Sequence, residues 1–145
     1  MPEKIWTRHS LNINGLELDA KFTRAAADTV FKPLLRKLTE LQGMMDRKIV
    51  AFLAAPPAAG KTTIAQFLEK LSRENQMFTN IRALGMDGFH YDSEYLKKNK
   101  ILRDGQEILM NDIKGAPETF DVDSMQIKLR EVRQEGTNWN IIVDV

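Results

Sequence analysis

Two short stretches carry side chains with reactive potential. Gly60-Lys61-Thr62-Thr63 joins a flexible backbone to an ammonium and two hydroxyls, and Asp87-Gly88-Phe89-His90 joins a carboxylate to an imidazole. The first set suits polyphosphate binding. Backbone N–H groups at the start of a helix lack intrahelical partners and can bind phosphate oxygens. Lys61 can reach the outer phosphates, and the Thr62 hydroxyl can meet a magnesium ion. The second set suits proton transfer, because an acidic residue near a transferred phosphate can orient or deprotonate a hydroxyl nucleophile.

Each set needs elements to hold it. The apolar run from Ile49 to Ala54 reads as a buried parallel strand. Ile64, Phe67, Leu68 and Leu71 fall on one face of an amphipathic helix beyond the loop. Strand, loop and helix in that order form the context of a phosphate-binding P-loop. The usual pattern is Gly, four residues, then Gly-Lys-Thr or Gly-Lys-Ser. Here Ala55 takes the first position, and Pro56 and Pro57 have no N–H to offer. Donors must come from Ala58, Ala59, Gly60, Lys61, Thr62 and Thr63. A second strand is expected from about Phe78 to Met86. Open α/β sheets bind ligands beyond the carboxyl ends of their strands, so Asp87 is expected on the same side as the loop. On the residues alone, Asp87 reads equally as a base and as a turn cap with Gly88. His90 reads more readily as a loop histidine than as a donor, since nothing in the sequence fixes its orientation.

The remaining chain supplies scaffold. Leu11, Ile13, Leu16 and Leu18 alternate around Asn14-Gly15, a strong hairpin signal. Ala27, Val30, Phe31, Leu34, Leu38 and Leu41 predict a helix over residues 24–45 that kinks or restarts at Pro33 and stops at Gly43. Ser93 to Asn99 suggests a short helix, and Asp104-Gly105 a turn. Asp121 is placed to cap a helix whose apolar face is Val122, Met125, Leu129 and Val132, with Gly136 as its stop. The segment Ile141-Ile-Val-Asp144 has the look of a strand ending in a metal-binding carboxylate, but it reads more readily as an apolar tail.

Composition narrows the function classes. The 145 residues suffice for one domain, with 43% hydrophobic and 28% charged residues, ordinary for a globular chain. A formal net charge of +1 gives no case for binding nucleic acid or a membrane surface. The chain has no cysteine, which excludes disulfides and thiolate chemistry. No apolar run approaches the ~18 residues needed to span a bilayer, and the N-terminus has no signal-peptide core. The expected location is the cytoplasm.

Ala54-Ala-Pro-Pro-Ala-Ala-Gly-Lys-Thr-Thr63, Met86-Asp-Gly-Phe-His90 and Lys114-Gly-Ala-Pro-Glu-Thr-Phe-Asp121, in that order, resemble the P-loop kinases that include uridine kinase, bacterial pantothenate kinase and phosphoribulokinase. The likeness is greatest to the bacterial uridine kinase-like branch, and it covers about residues 10 to 135. It implies that Asp87 is the base for the acceptor hydroxyl and that His90 lies near the acceptor. It also implies that the Lys114 loop borders the acceptor pocket, with Arg103 a weaker candidate contact. Ala58 stands where such kinases often carry Gly, which strains the loop if a positive φ is needed. The later strands, arginine-bearing lid and adenine-binding segment of such kinases have no counterpart in these 145 residues.

The resulting expectation is an α/β fold: a P-loop NTPase-type parallel sheet with flanking helices, incomplete at the C-terminus. Residues 1–46 form an N-terminal hairpin and helix, and residues 47–145 a partial kinase core. The expected activity is transfer of the γ-phosphate of ATP, with Mg²⁺, to a hydroxyl on a small nucleoside, sugar or pantothenate-like acceptor. Lys61 and Asp87 are the catalytic residues. The alternative is a non-catalytic nucleotide-binding module. An incomplete sheet exposes apolar edge and face, so a homodimer is also expected to be possible.

Overall fold

The Asn14-Gly15 pair makes the first turn. Asn14 has φ 53° and Gly15 φ 84°, the conformation that matches the twist of two antiparallel strands. It joins β1 (Trp6–Ile13) to β2 (Leu16–Thr23), paired from Trp6↔Thr23 to Ile13↔Leu16. This computed structural model describes residues 4–45, 47–134 and 139–144, with the backbone alone for the last span. It has a mixed α/β fold with small sheets, and the chain packs into two compact units, residues 1–85 with 136–145 and residues 86–135.

In the first unit the hairpin leads into a helical segment with a wide turn. Thr23 caps α1 (Arg24–Ala26), its hydroxyl accepting from the Ala26 N–H. A π-helical turn covers Ala27–Phe31, closed by the Lys32 N–H on the Ala27 carbonyl, and α2 (Lys32–Met45) follows. Pro33 explains the wide turn: it has no N–H for the Thr29 carbonyl, and its ring crowds that carbonyl in a regular helix. Gly43 does not end the helix as expected. It does not take the left-handed conformation of a C-cap, and α2 runs on to Met45.

A three-stranded parallel sheet follows, in the order β3 (Val50–Leu53), β7 (Trp139–Asp144), β4 (Asn80–Gly85). The reading of residues 141–144 as a chance apolar tail is thereby corrected, since they lie in the central strand. The strand expected over 49–54 is shorter, and among the described residues it is covered on one face. Ile49, Ala51 and Leu53 pack with α2 and with α3 (Lys61–Glu74), around buried Leu35, Leu38, Ala65, Leu68, Phe78 and Ile81. Phe52, with its side chain on the opposite face, is 60% exposed. α2, β3 and α3 share this core within the first unit.

The outer edge of β4 is closed by side chains. The N–H groups of Thr79, Ile81 and Ala83 donate to Thr39 Oγ1, Ser72 Oγ and Glu69 Oε2 at 3.0, 2.9 and 2.8 Å. Alternate N–H groups face outward from an edge strand, and leaving them open invites pairing with another chain. Ser72 is 1% exposed and also donates to the Glu69 carbonyl at 2.7 Å. Ser72→Ala leaves the buried Ile81 N–H unpaired and is expected to cost about 1–3 kcal/mol. Urea denaturation checks this as a lower midpoint at unchanged slope.

The second unit is built from short pieces. Asp92 caps α4 (Ser93–Lys98) through the Tyr95 N–H. The expected turn at Asp104-Gly105 joins two short strands that the weak periodicity did not announce, β5 (Lys100–Arg103) and β6 (Gln106–Leu109). Asp121 caps α5 (Val122–Gln134), accepting from the Ser124 N–H and hydroxyl, and those bonds hold its carboxyl below the usual carboxylate range. Val132 is buried, Met125 and Leu129 are half-buried, and Val122 is 42% exposed. The expected stop at Gly136 lies outside the described residues. Among the described residues no helix is long and apolar enough to cross a membrane.

Candidate functional site

The loop from β3 to α3 is the first candidate. Gly60 caps the helix with φ 80° and ψ 24°, and Ala58 has φ 61°. The sequence thus puts an alanine where a positive φ is required, a conformation that costs an L residue about 1–2 kcal/mol. The Ala59 N–H donates to the Pro56 carbonyl at 3.2 Å, so it is spent inside the loop and is not the free donor expected. The first intrahelical bond runs from the Ile64 N–H to the Gly60 carbonyl at 2.9 Å. The N–H groups of Lys61, Thr62 and Thr63 therefore begin α3 without helical partners. Lys61 Nζ rests on the Ala55 and Pro56 carbonyls at 2.9 and 3.3 Å. These exposed neutral acceptors hold the ammonium over the loop without neutralising it. The arrangement can bind an anion through backbone donors, a fixed positive charge and the helix dipole.

Asp87 and His90 lie in the second unit, where Met86–Phe89 forms a single 3₁₀ turn. The Asp87 side chain is 95% exposed, and its Oδ1 lies 3.8 Å from His90 Nε2. Among the described residues no side-chain hydrogen bond holds this carboxylate, while the Asp87 carbonyl accepts from the His90 N–H at 3.3 Å and closes the turn around Gly88. His90 is more tightly fixed than the sequence suggested. Its backbone bridges Phe120, and its ring stacks on Phe120 at 3.7 Å. Nδ1 lies 3.3 Å from the Thr119 carbonyl. A carbonyl only accepts, so Nδ1 carries the proton, and Nε2 faces Asp87.

The pairing of residues 89–91 with 119–121 ties two of the singled-out motifs together. The Asp121 N–H donates to the Phe89 carbonyl at 2.7 Å, and the Tyr91 N–H to the Thr119 carbonyl at 3.1 Å. Thr119, wholly buried, locks the Lys114–Asp121 loop: its hydroxyl accepts from the Gly115 N–H and donates to the Ala116 carbonyl. Sequence reasoning missed Thr119 and Phe120, which position His90; the only signal was their place in the third motif. Lys114 is exposed at the start of this loop. Arg103 is exposed at the turn end of the β5–β6 hairpin, and among the described residues no hydrogen bond or ion pair joins it to Asp87 or His90.

Fold and loop together define a mixed α/β protein with a helix-start donor cluster following a parallel strand. No family model matches the chain. The chain is similar to the uncharacterised protein YggC of Escherichia coli (strain K12), 36% identical over 130 residues, 89% of this chain and 51% of YggC. It thus spans about half the length of that relative. A solved structure, of a protein described as a proposed fructose transport system kinase from Silicibacter sp. TM1040, superimposes on 73% of this chain and 62% of its own. The TM-score is 0.49 and the sequence identity 22%.

Proposed function

We propose that this chain carries the phosphate-binding and acceptor-activating residues of an ATP-dependent small-molecule kinase with a P-loop NTPase-type fold. The observation that carries the reading is the β3–loop–α3 unit, with its positive-φ backbone at Ala58 and Gly60, free N–H groups at the start of α3, and Lys61 held over the loop. The nucleotide fits these groups. Ala58, Gly60, Lys61, Thr62 and Thr63 offer donors to phosphate oxygens, and Lys61 offsets charge on the outer phosphates. The half-buried Thr62 hydroxyl has no hydrogen bond among the described residues and would hold Mg²⁺. When bound, the metal supplies charge neutralisation at the phosphates.

Asp87 is the residue we assign as base for the acceptor hydroxyl. His90 offers an imidazole edge beside it, and Lys114 and Arg103 are candidate contacts for the acceptor. The acceptor class is a small alcohol-bearing molecule such as a nucleoside, a sugar or a pantothenate-like compound. A cytoplasmic location goes with that substrate class.

A ligand that binds only the folded state raises its stability, by about 2.7 kcal/mol at one hundred times the dissociation constant. Mg²⁺-ATP is therefore expected to raise the melting temperature of this chain, and Lys61→Ala to abolish the rise. An unshifted melting point in the parent chain defeats the proposal. Nucleotide binding without turnover over a panel of acceptors gives the alternative, a binding module without catalysis.

A further inference from the structure

The β1–β2 hairpin presents two faces of opposite character. One carries His9, Leu11 and Phe22 against Phe67 of α3. The other holds the cross-strand pairs Trp6↔Thr23, Arg8↔Lys21, Ser10↔Asp19 and Asn12↔Glu17, since directly opposed residues share a face. Arg8 and Lys21 are thus two like charges directly opposite each other, an arrangement that destabilises a sheet. Both are exposed, and neither has an ion pair among the described residues. Trp6, two residues before Arg8 on the same face, is 57% exposed. Among the described residues, these three side chains line an open cavity of ≈ 470 Å³.

An unneutralised cation pair beside an exposed indole is what an anion carrying a planar ring requires. Charge-assisted bonds from the guanidinium and ammonium take the anion, while the indole face takes the ring. The same face limits the ligand's size. Trp6 is the one aromatic among the eight residues of these four pairs, so there is room for a single stacked ring. Beyond the cations come Asp19 and then Glu17, whose carboxylates repel a second phosphate. A polyanionic strand is therefore disfavoured where a single phosphate is not.

We propose that the outward face of the hairpin binds a small ring-bearing phosphate monoester, its ring on Trp6 and its phosphate between Arg8 and Lys21. This site is separate from the loop at Lys61 and stands whether or not that loop binds nucleotide.

The probe is 1-naphthyl phosphate, with 1-naphthol and inorganic phosphate as half-ligands. The chain has two tryptophans, so 5-fluorotryptophan labelling gives two ¹⁹F resonances, and Trp6→Phe assigns that of Trp6. Naphthyl phosphate is expected to shift the Trp6 resonance saturably. Arg8→Gln with Lys21→Gln, and each half-ligand on the parent protein, should bind at least about tenfold more weakly, from the loss of charge-assisted bonds or of the stacked ring. Lys21→Glu replaces the like-charge pair by an attractive one; it is expected to raise the melting temperature while losing the probe. The proposal is overturned by an unmoved Trp6 resonance, by a shift that survives removal of both cations, by equal binding of 1-naphthol, or by a melting temperature that falls in Lys21→Glu.

Discussion

Asp87→Asn is expected to lower acceptor-dependent phosphoryl transfer by about two to four powers of ten, the range contributed by a positioned acid or base, and to leave nucleotide affinity unchanged. Asparagine keeps the size and one carbonyl oxygen of the aspartate but cannot take the acceptor's proton. The substitution is structurally mild: the carboxylate is 95% exposed, and among the described residues its contact is His90 Nε2 at 3.8 Å. A loss of activity therefore cannot be attributed to a collapsed fold, and an unchanged melting temperature verifies that point directly. Two measurements separate the possibilities. A coupled assay over nucleoside, sugar and pantothenate-like acceptors reads transfer, and the Mg²⁺-ATP-dependent rise in melting temperature reads binding. Equal loss in both readings removes Asp87 from the catalytic role, and so does full activity.

The largest structural effect is expected at Phe67, where truncation to alanine should cost about 3–5 kcal/mol. Phe67 is 0% exposed and projects from the middle of α3 into a cluster of rings. It stacks on Phe22 at 3.8 Å, and it meets Phe31 and His9 edge-on at 5.3 and 4.7 Å. One side chain thus ties β1, β2 and the π-helical turn to the helix that begins at Lys61. Urea denaturation followed by circular dichroism checks the loss, and a change under about 1 kcal/mol, the scale of an ordinary surface substitution or little more, would contradict this account of the core.

The same cluster sets a pH dependence. Burial among these rings, helped by Lys70, holds the His9 imidazole below its usual value near 6.5. Its tautomer is fixed: the Thr7 hydroxyl gives its hydrogen to the Phe22 carbonyl, so His9 Nε2 must donate to Thr7 Oγ1 at 2.8 Å. A depressed histidine value means the unfolded chain takes up its proton first as pH falls. The stabilisation is complete above about pH 6.5 and is lost as pH drops through the lower folded-state value. Phe67→Ala admits water to the cluster and should flatten that acid-side loss.

Much of the candidate site was legible in local pattern. Gly60-Lys61-Thr62 began a helix where the apolar spacing of Ile64, Phe67 and Leu68 placed one, while the positive φ of Ala58, which the sequence left conditional, came from the structure. Asn14-Gly15 and Asp104-Gly105 made their turns, and Asp121 capped α5. These features depend on residues a few positions apart, where sterics, caps and periodicity act within one turn. What failed locally failed for a reason of the same scale. The Ala59 N–H was consumed by the Pro56 carbonyl, a bond that depends on how the two prolines bend the loop.

The sequence by itself determined the strand–loop–helix around Lys61, the hairpin, and the residue types at Asp87 and His90. Only the tertiary structure decided that Trp139–Asp144 lies between β3 and β4, and that Ser72 and Glu69 close the free edge of β4. It also decided that His90 is clamped by Thr119 and Phe120, about thirty residues away in the chain. The physical reason is that a strand's neighbours and a buried donor's partner are chosen by burial and hydrogen-bond satisfaction over the whole chain. Hydrophobic periodicity records that a segment must be buried, and not what will cover it.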